Sequence, residues 1–187
     1  IRLDSISLSF KALIYTALLA AVWPLLLYFI AWQLSVLPAT TFSLALAGGL
    51  QAASTMLLII SFIRYSCLEY GLAGRHFRWP VPIYQGLLSH TKWLKIIMPA
   101  LVLVMTVSMQ PPESFLTQGL ARPAFMALMV TFIIFIYRLL GPYSSLQGFL
   151  RQKAANESLR QVAFFWFPLA LFLPSTMMVA AAAGYQH

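Results

Sequence analysis

Residues 42–63, FSLALAGGLQAASTMLLIISFI, run for 22 positions without a charged side chain. As a helix rising about 1.5 Å per residue they reach roughly 33 Å, enough to cross a hydrocarbon core about 30 Å thick. Gly48 and Gly49 interrupt neither the apolar character nor the length, and read as a packing or flexing element within one helix. The rest of the chain has the same character. Of 187 residues 61% are hydrophobic and 9% are charged, against about a quarter charged in an ordinary soluble domain. That leaves too little polar surface to coat a water-soluble globule, so the chain is read as a bilayer protein.

Five stretches read as membrane spans: about 12–33, 42–63, 93–109, 123–137 and 161–183. Their interiors hold no Asp, Glu, Lys, Arg or His, with Lys95 in the opening turn of the third. Each such charge at a helix centre would cost about 2.5 to 3.5 kcal/mol on insertion scales. The first run is too long for a signal-peptide core, and no small-residue cleavage pattern follows it. The chain begins at Ile1 rather than methionine, and is expected to be a fragment of a longer polypeptide.

The formal charge of +8 is distributed unevenly. Arg2 and Lys11 precede the first span. Arg64, Arg75, Arg78, Lys92 and Lys95 lie between the second and third, and Arg138, Arg151, Lys153 and Arg160 between the fourth and fifth. Eleven basic residues therefore share one side, and Arg122 alone occupies the other. The positive-inside rule predicts a cytosolic N-terminus and a periplasmic C-terminus. The fold class expected is all-α: a polytopic integral membrane protein with about five transmembrane helices.

Pro24, Pro99, Pro168 and Pro174 fall inside spans, where a neighbouring helix or a hydroxyl can satisfy a freed carbonyl; kinks rather than breaks are expected there. Small residues Ala45, Gly48, Gly49, Ala52 and Ala53, and the run from Ala180 to Gly184, would let backbones approach closely. Trp32, Trp93 and Tyr137 stand near span ends, where amphipathic rings favour the headgroup layer. Gly141-Pro142 is expected to close the fourth helix. Between the second and third spans lies GLAGRHFRWPVP (71–82), whose arginines are expected at lipid phosphates. After it, Ile83, Leu87, Leu88 and Leu94 recur at helical spacing, which suggests an amphipathic segment in the inner headgroup layer feeding the third span.

Catalytic chemistry has little to stand on. Glu69, His76 and His90 share the central basic region, but no HxxxH, HExxH or Cys/His spacing accompanies them, so no metal, cofactor or catalytic residue is assigned. Ser66-Cys67-Leu68 lacks the glycines of a nucleophile elbow, and the lone Cys67 cannot form an internal disulfide. No acid or histidine occupies bilayer depth, as a proton- or ion-coupled transporter would ordinarily require. No phosphate-binding glycine motif occurs, and the basic residues at span ends point to lipid headgroups rather than nucleic acid.

GLAGRHFRWP (71–80), followed by TKWLKIIMPALV (91–102), resembles the cytosolic loop and next helix of the large MscS-family mechanosensitive channels, the MscK and MscM types. ESLRQVAFFWFPLALFLPSTMMVAAAAGY (157–185) is similar to that family's span ending in small residues and Gly-Tyr. The resemblance covers most of the chain from about residue 8. It implies a homo-oligomeric, heptameric channel in the inner membrane of a Gram-negative bacterium, opening under tension to release ions and small solutes during osmotic downshock.

The family's periplasmic region, pore-lining helix and β-rich cytosolic domain have no counterpart in these residues, so they correspond to peripheral helices of its membrane domain and carry no permeation residue. The functional candidates are therefore lipid contacts at Arg64, Arg75, Arg78, Lys92, Lys95, Arg151 and Lys153, and helix kinks at Pro24, Pro99, Pro168 and Pro174. The rival readings are a helical subunit or membrane anchor of a transporter complex and, less well supported by the residues, an integral-membrane enzyme.

Overall fold

The computed structural model describes residues 2–36, 40–68, 81–109, 115–141 and 157–182, and among these every regular element is an α-helix. The helices are α1 (Arg2–Val36), α2 (Thr41–Ser66), α3 (Val81–Ser108), α4 (Phe115–Leu140) and α5 (Glu157–Ala182). Within lipid a backbone finds no water to bond, so a long uncharged run must satisfy its own N–H and C=O groups as helix. Four helices carry stretches long and apolar enough to cross a membrane: Phe10–Val36, Thr41–Ser66, Tyr84–Ser108 and Gly119–Leu140. In the 26-residue α5 the described apolar stretch is the shorter Pro168–Ala182.

The helix ends follow local chemistry. Thr40 caps α2 by accepting a hydrogen bond from the Ser43 N–H at 3.2 Å. At its other end the Cys67 N–H donates to the carbonyls of Ile63 and Arg64. The Gly141 N–H closes α4 on the Tyr137 carbonyl at 2.8 Å, as the Gly-Pro pair leads one to expect, and a Cβ at Gly141 would collide with that same carbonyl.

Substantial packing runs between sequence neighbours: α1 on α2, α2 on α3, α3 on α4, α4 on α5. The helices therefore form an open row rather than a closed bundle. Contacts at both ends and the middle of the α2–α3 pair show that it is antiparallel. Gly49, early in α2, meets Leu103 and Val107, late in α3. Ile60 packs with Leu94 and Met98 halfway along, and Cys67 beyond the end of α2 packs with Tyr84, near the start of α3.

Each seam has its own composition. The buried positions of α1 (Thr16, Ala20, Pro24 and Ala31) recur every four or seven residues and carry small or compact side chains. Opposite them, the Ser54 hydroxyl donates a buried hydrogen bond of 2.7 Å to the Pro24 carbonyl. Such a bond across membrane helices is worth about 0.6 kcal/mol on average. Close approach of backbones therefore matters more to this seam than the bond does. Between α2 and α3, Gly49 brings the backbones together at one end. Between α3 and α4, the Leu94–Met98 core receives Leu128, Phe132 and Phe135 at heptad-like spacing.

Several details depart from the reading of the sequence. The amphipathic segment and the third span are one continuous helix beginning at Val81. Tyr84, Leu87 and Leu88 cover Cys67, so that apolar face meets protein instead of the headgroup layer. Trp93, expected at the interface, packs against the Ile60–Leu94–Met98 core with its indole N–H buried. The fourth helix begins at Phe115, well before its apolar span, which makes Pro123 a further proline inside a helix. The five prolines in helix interiors are accommodated without ending the helix: Pro24, Pro99 and Pro174 are buried, while Pro123 and Pro168 are exposed.

A methyl group at Gly49 would lie 2.7 Å from Val107 Cγ2 and 3.2 Å from the Leu103 carbonyl oxygen. Val107 is β-branched and stiff, and the carbonyl belongs to the α3 backbone, so neither yields easily. The helix-propensity gain of Gly→Ala, about 1 kcal/mol, is outweighed by an overpacking cost of about 1 to 3 kcal/mol. Gly49→Ala is expected to lower the unfolding midpoint in detergent, and Val107→Ala added to it is expected to restore the midpoint. Cys67, 4% exposed, has its thiol pushed above the ordinary range by burial. Less thiolate is then present at neutral pH, so maleimide labelling followed by mass spectrometry should be slower than at an exposed engineered cysteine, and should still be accelerating through pH 9.

Candidate functional site

The spacing of charge along the row follows from the antiparallel hairpins. Arg64 occupies the last turn of α2 and Arg138 the last turn of α4, and these ends lie beside the first half of α3, which carries His90, Lys92 and Lys95. Lys11, in the first half of α1, belongs to the same end, because α1 and α2 are joined through their opposite ends. Arg122, early in α4, stands towards the other end. Among the described basic residues the asymmetry read along the sequence is thus a spatial one.

Of the expected headgroup contacts, Arg64 and Lys95 are half-buried and Lys92 is exposed. A long aliphatic stem lying along a helix while the charged tip reaches outward suits this environment. Arg75, Arg78, Arg151 and Lys153 lie outside the described residues, as do Glu69 and His76. The structure places Arg64, Lys92, Lys95 and Arg138 towards one end of the row.

The hydroxyl groups are mostly occupied within their own helices. Thr16, Thr55, Thr91, Thr106, Thr131 and Ser175 each donate to the carbonyl four residues earlier, at 2.7 to 3.0 Å. This hides polarity from lipid and leaves those groups unavailable to a solute. Ser61, Ser66 and Trp93 each bury a polar atom without a protein partner. No group of three or more metal-ligating side chains occurs among the described residues. What dominates is exposed apolar surface: Trp23 at 62%, Leu25 at 63%, Ile96 at 75% and Phe172 at 67%. In water these would be a large aggregation surface, whereas a bilayer would solvate them with acyl chains.

Sequence reasoning missed two features of this surface. One is the α1–α2 hydrogen bond. Ser54 lies seven residues from both Ala47 and Ser61, a period that marks one helix face, but nothing along the chain pairs it with Pro24. The other is the inward packing of Trp93, whose neighbours Leu94 and Met98 give the helical stripe without saying which helix covers it.

A family model described as mechanosensitive ion channel inner membrane domain 1 matches residues 1–187. No curated protein and no solved structure matches. Among the described residues, helices long and apolar enough to cross a membrane accord with such a membrane domain. The chain belongs to the mechanosensitive ion channel inner membrane domain family, the membrane part of MscS-type channels.

Proposed function

We propose that this row of helices is the tension-sensing periphery of a mechanosensitive channel that releases ions and small solutes on osmotic downshock. The observation that carries the reading is the open row, in which each helix packs on its sequence neighbours and leaves its flanks to lipid. Tension shifts a closed-to-open equilibrium in proportion to the difference in membrane footprint between the states. Helices with lipid on both flanks change that footprint whenever they tilt or separate.

The energy required is modest. Moving an equilibrium from about 1:99 to 99:1 takes about 5.5 kcal/mol, which a heptamer would divide into roughly 0.8 kcal/mol per subunit. A small reorientation of one helix pair supplies a change of that order. In this reading Pro24, Pro99, Pro168 and Pro174 permit bent helices that shape the surrounding bilayer. Arg64, Arg75, Arg78, Lys92, Lys95, Arg151 and Lys153 hold the inner ends against anionic headgroups. The assembly is a homo-oligomer in the inner membrane of a Gram-negative bacterium, with the N-terminus of this segment cytosolic and its C-terminus periplasmic.

Patch recording of the complete channel in liposomes tests the reading directly: pressure-dependent conductance is expected, and silence under pressure would overturn it. Replacing Pro168 and Pro174 with alanine should move the tension midpoint, whereas an unchanged midpoint removes these prolines from the mechanism. For the topology, cysteines placed at Arg75 and Arg151 should both react from the cytosolic face with an impermeant reagent. Reaction from opposite faces would break the proposed orientation.

A further inference from the structure

The Ser54–Pro24 hydrogen bond fixes how α1 and α2 stand against each other. Seven residues to one side of it stand Ala31 on α1 and Ala47 on α2, both buried. Seven residues to the other side, the same antiparallel register sets Ser61 opposite Ala17. Ser61 is 1% exposed, and its hydroxyl has no protein partner. Six other described hydroxyls turn back onto the carbonyl four residues earlier, but that of Ser61 does not take the Leu57 carbonyl. A buried hydroxyl left without a bond is costly, so a polar group is required beside it.

The same seam contains an acceptor in need of a donor. Pro24 lies inside α1 and carries no N–H, so the Ala20 carbonyl loses the helical donor that another residue at position 24 would supply. Ala20 is itself buried, on the face of α1 that packs on α2. Within a membrane a carbonyl freed by proline is satisfied by a neighbouring helix, a Ser or Thr side chain or an ordered water. Ser54 is committed to the Pro24 carbonyl and Thr16 to the Ala12 carbonyl. Among the described residues this leaves Ser61 as the remaining buried hydroxyl on the two helices.

The leftover donor and the leftover acceptor are offset along the helices. Ser54 and Ser61 are separated by roughly 10.5 Å along α2, and the carbonyls of Pro24 and Ala20 by roughly 6 Å along α1. With the Ser54 hydroxyl on the Pro24 carbonyl, the Ser61 hydroxyl therefore lies about 4.5 Å beyond the Ala20 carbonyl. That is too far for a direct bond. Two hydrogen bonds of about 2.8 Å meeting at one water oxygen span about this distance. Ala17, Ala20 and Ser61 are all small, which leaves room beside the carbonyl.

We propose that the α1–α2 seam holds one buried water, which accepts a hydrogen bond from the Ser61 hydroxyl and donates one to the Ala20 carbonyl. With Ser54 on the Pro24 carbonyl and this water on the Ala20 carbonyl, α2 ties down both ends of the proline turn. The bend at Pro24 is then held by α2, and the two helices move as one rigid pair. The site does not depend on the tension-sensing role.

The test uses the complete channel in lipid nanodiscs, equilibrated with oxygen-18 water and exposed to a brief X-ray pulse. Hydroxyl radicals made from a bound water oxidise the side chains beside it, and mass spectrometry locates the heavy oxygen. Leu57, buried one turn before Ser61, should be labelled, whereas Leu25 on the exposed flank of α1 should not. Ser61→Ala removes the donor, and Pro24→Ala gives the Ala20 carbonyl a helical N–H; each should abolish labelling at Leu57. Ser54→Ala loosens the same seam without touching either group, and should keep it. An unlabelled Leu57 in the parent channel, the result if Ser61 turns back onto the Leu57 carbonyl, would overturn the site. So would labelling that persists in Ser61→Ala or Pro24→Ala. Labelling lost in Ser54→Ala as well would mean that any disturbance of the seam removes it, and would overturn the assignment to Ser61 and Ala20.

Discussion

Close approach of α2 to both its neighbours is the constraint on which the rest of this structure depends. In lipid, burying an apolar side chain between helices gains little over leaving it among acyl chains, so association rests on packing density and a few hydrogen bonds. Helix α2 meets that requirement with small residues on two faces. Ala45, Gly49 and Ala53 are buried at four-residue intervals, with Gly49 against α3, while Ser54 is directed to the Pro24 carbonyl of α1. Large side chains at these positions would separate the helices and replace contact with lipid.

A row held in this way has a particular mechanical character. Its seams are narrow and local, its flanks are apolar and exposed, and most of its described hydroxyl groups are turned back onto their own helices. In the proposed tension-sensing role, few contacts would resist a tilt of one hairpin against the next, and much surface would meet the surrounding bilayer. The row differs in this from a transporter core, where polar groups converge on a midplane site. The described charged residues stay towards the ends of the helices.

Much of the architecture was legible without coordinates, because the bilayer imposes a simple rule: a long uncharged run must be helix, and cations stay near the surface. The helical spans and the segregation of Arg64 and Arg138 from Arg122 come from that rule, and the closure at Gly141 from the Gly-Pro pair that follows the fourth helix. Boundaries were less legible. Residues 81–92 contain His90 and Lys92, which suggest an interface, but nothing in them stops a helix, so α3 starts at Val81. Likewise Pro123 looks like a helix start, yet Phe115 to Arg122 are compatible with helix and a proline is tolerated within it. The basic loop 71–80 and the arginine and lysine at 151 and 153 lie outside the described residues, so the functional candidates there rest on the sequence.

By itself the sequence determined that this chain is built of helices long and apolar enough to cross a membrane, and that its described cations gather mostly towards one end of them. Those properties depend on transfer free energies summed residue by residue, and need no knowledge of neighbours. Only the tertiary structure decided which helix covers which: that Ser54 bonds Pro24, that Trp93 turns inward to the Ile60–Met98 core, and that Cys67 lies under Tyr84. In lipid an apolar side chain is nearly as well solvated by acyl chains as by another helix. Hydrophobicity therefore cannot select its partner, and the choice falls to the fit of backbones and side chains in three dimensions.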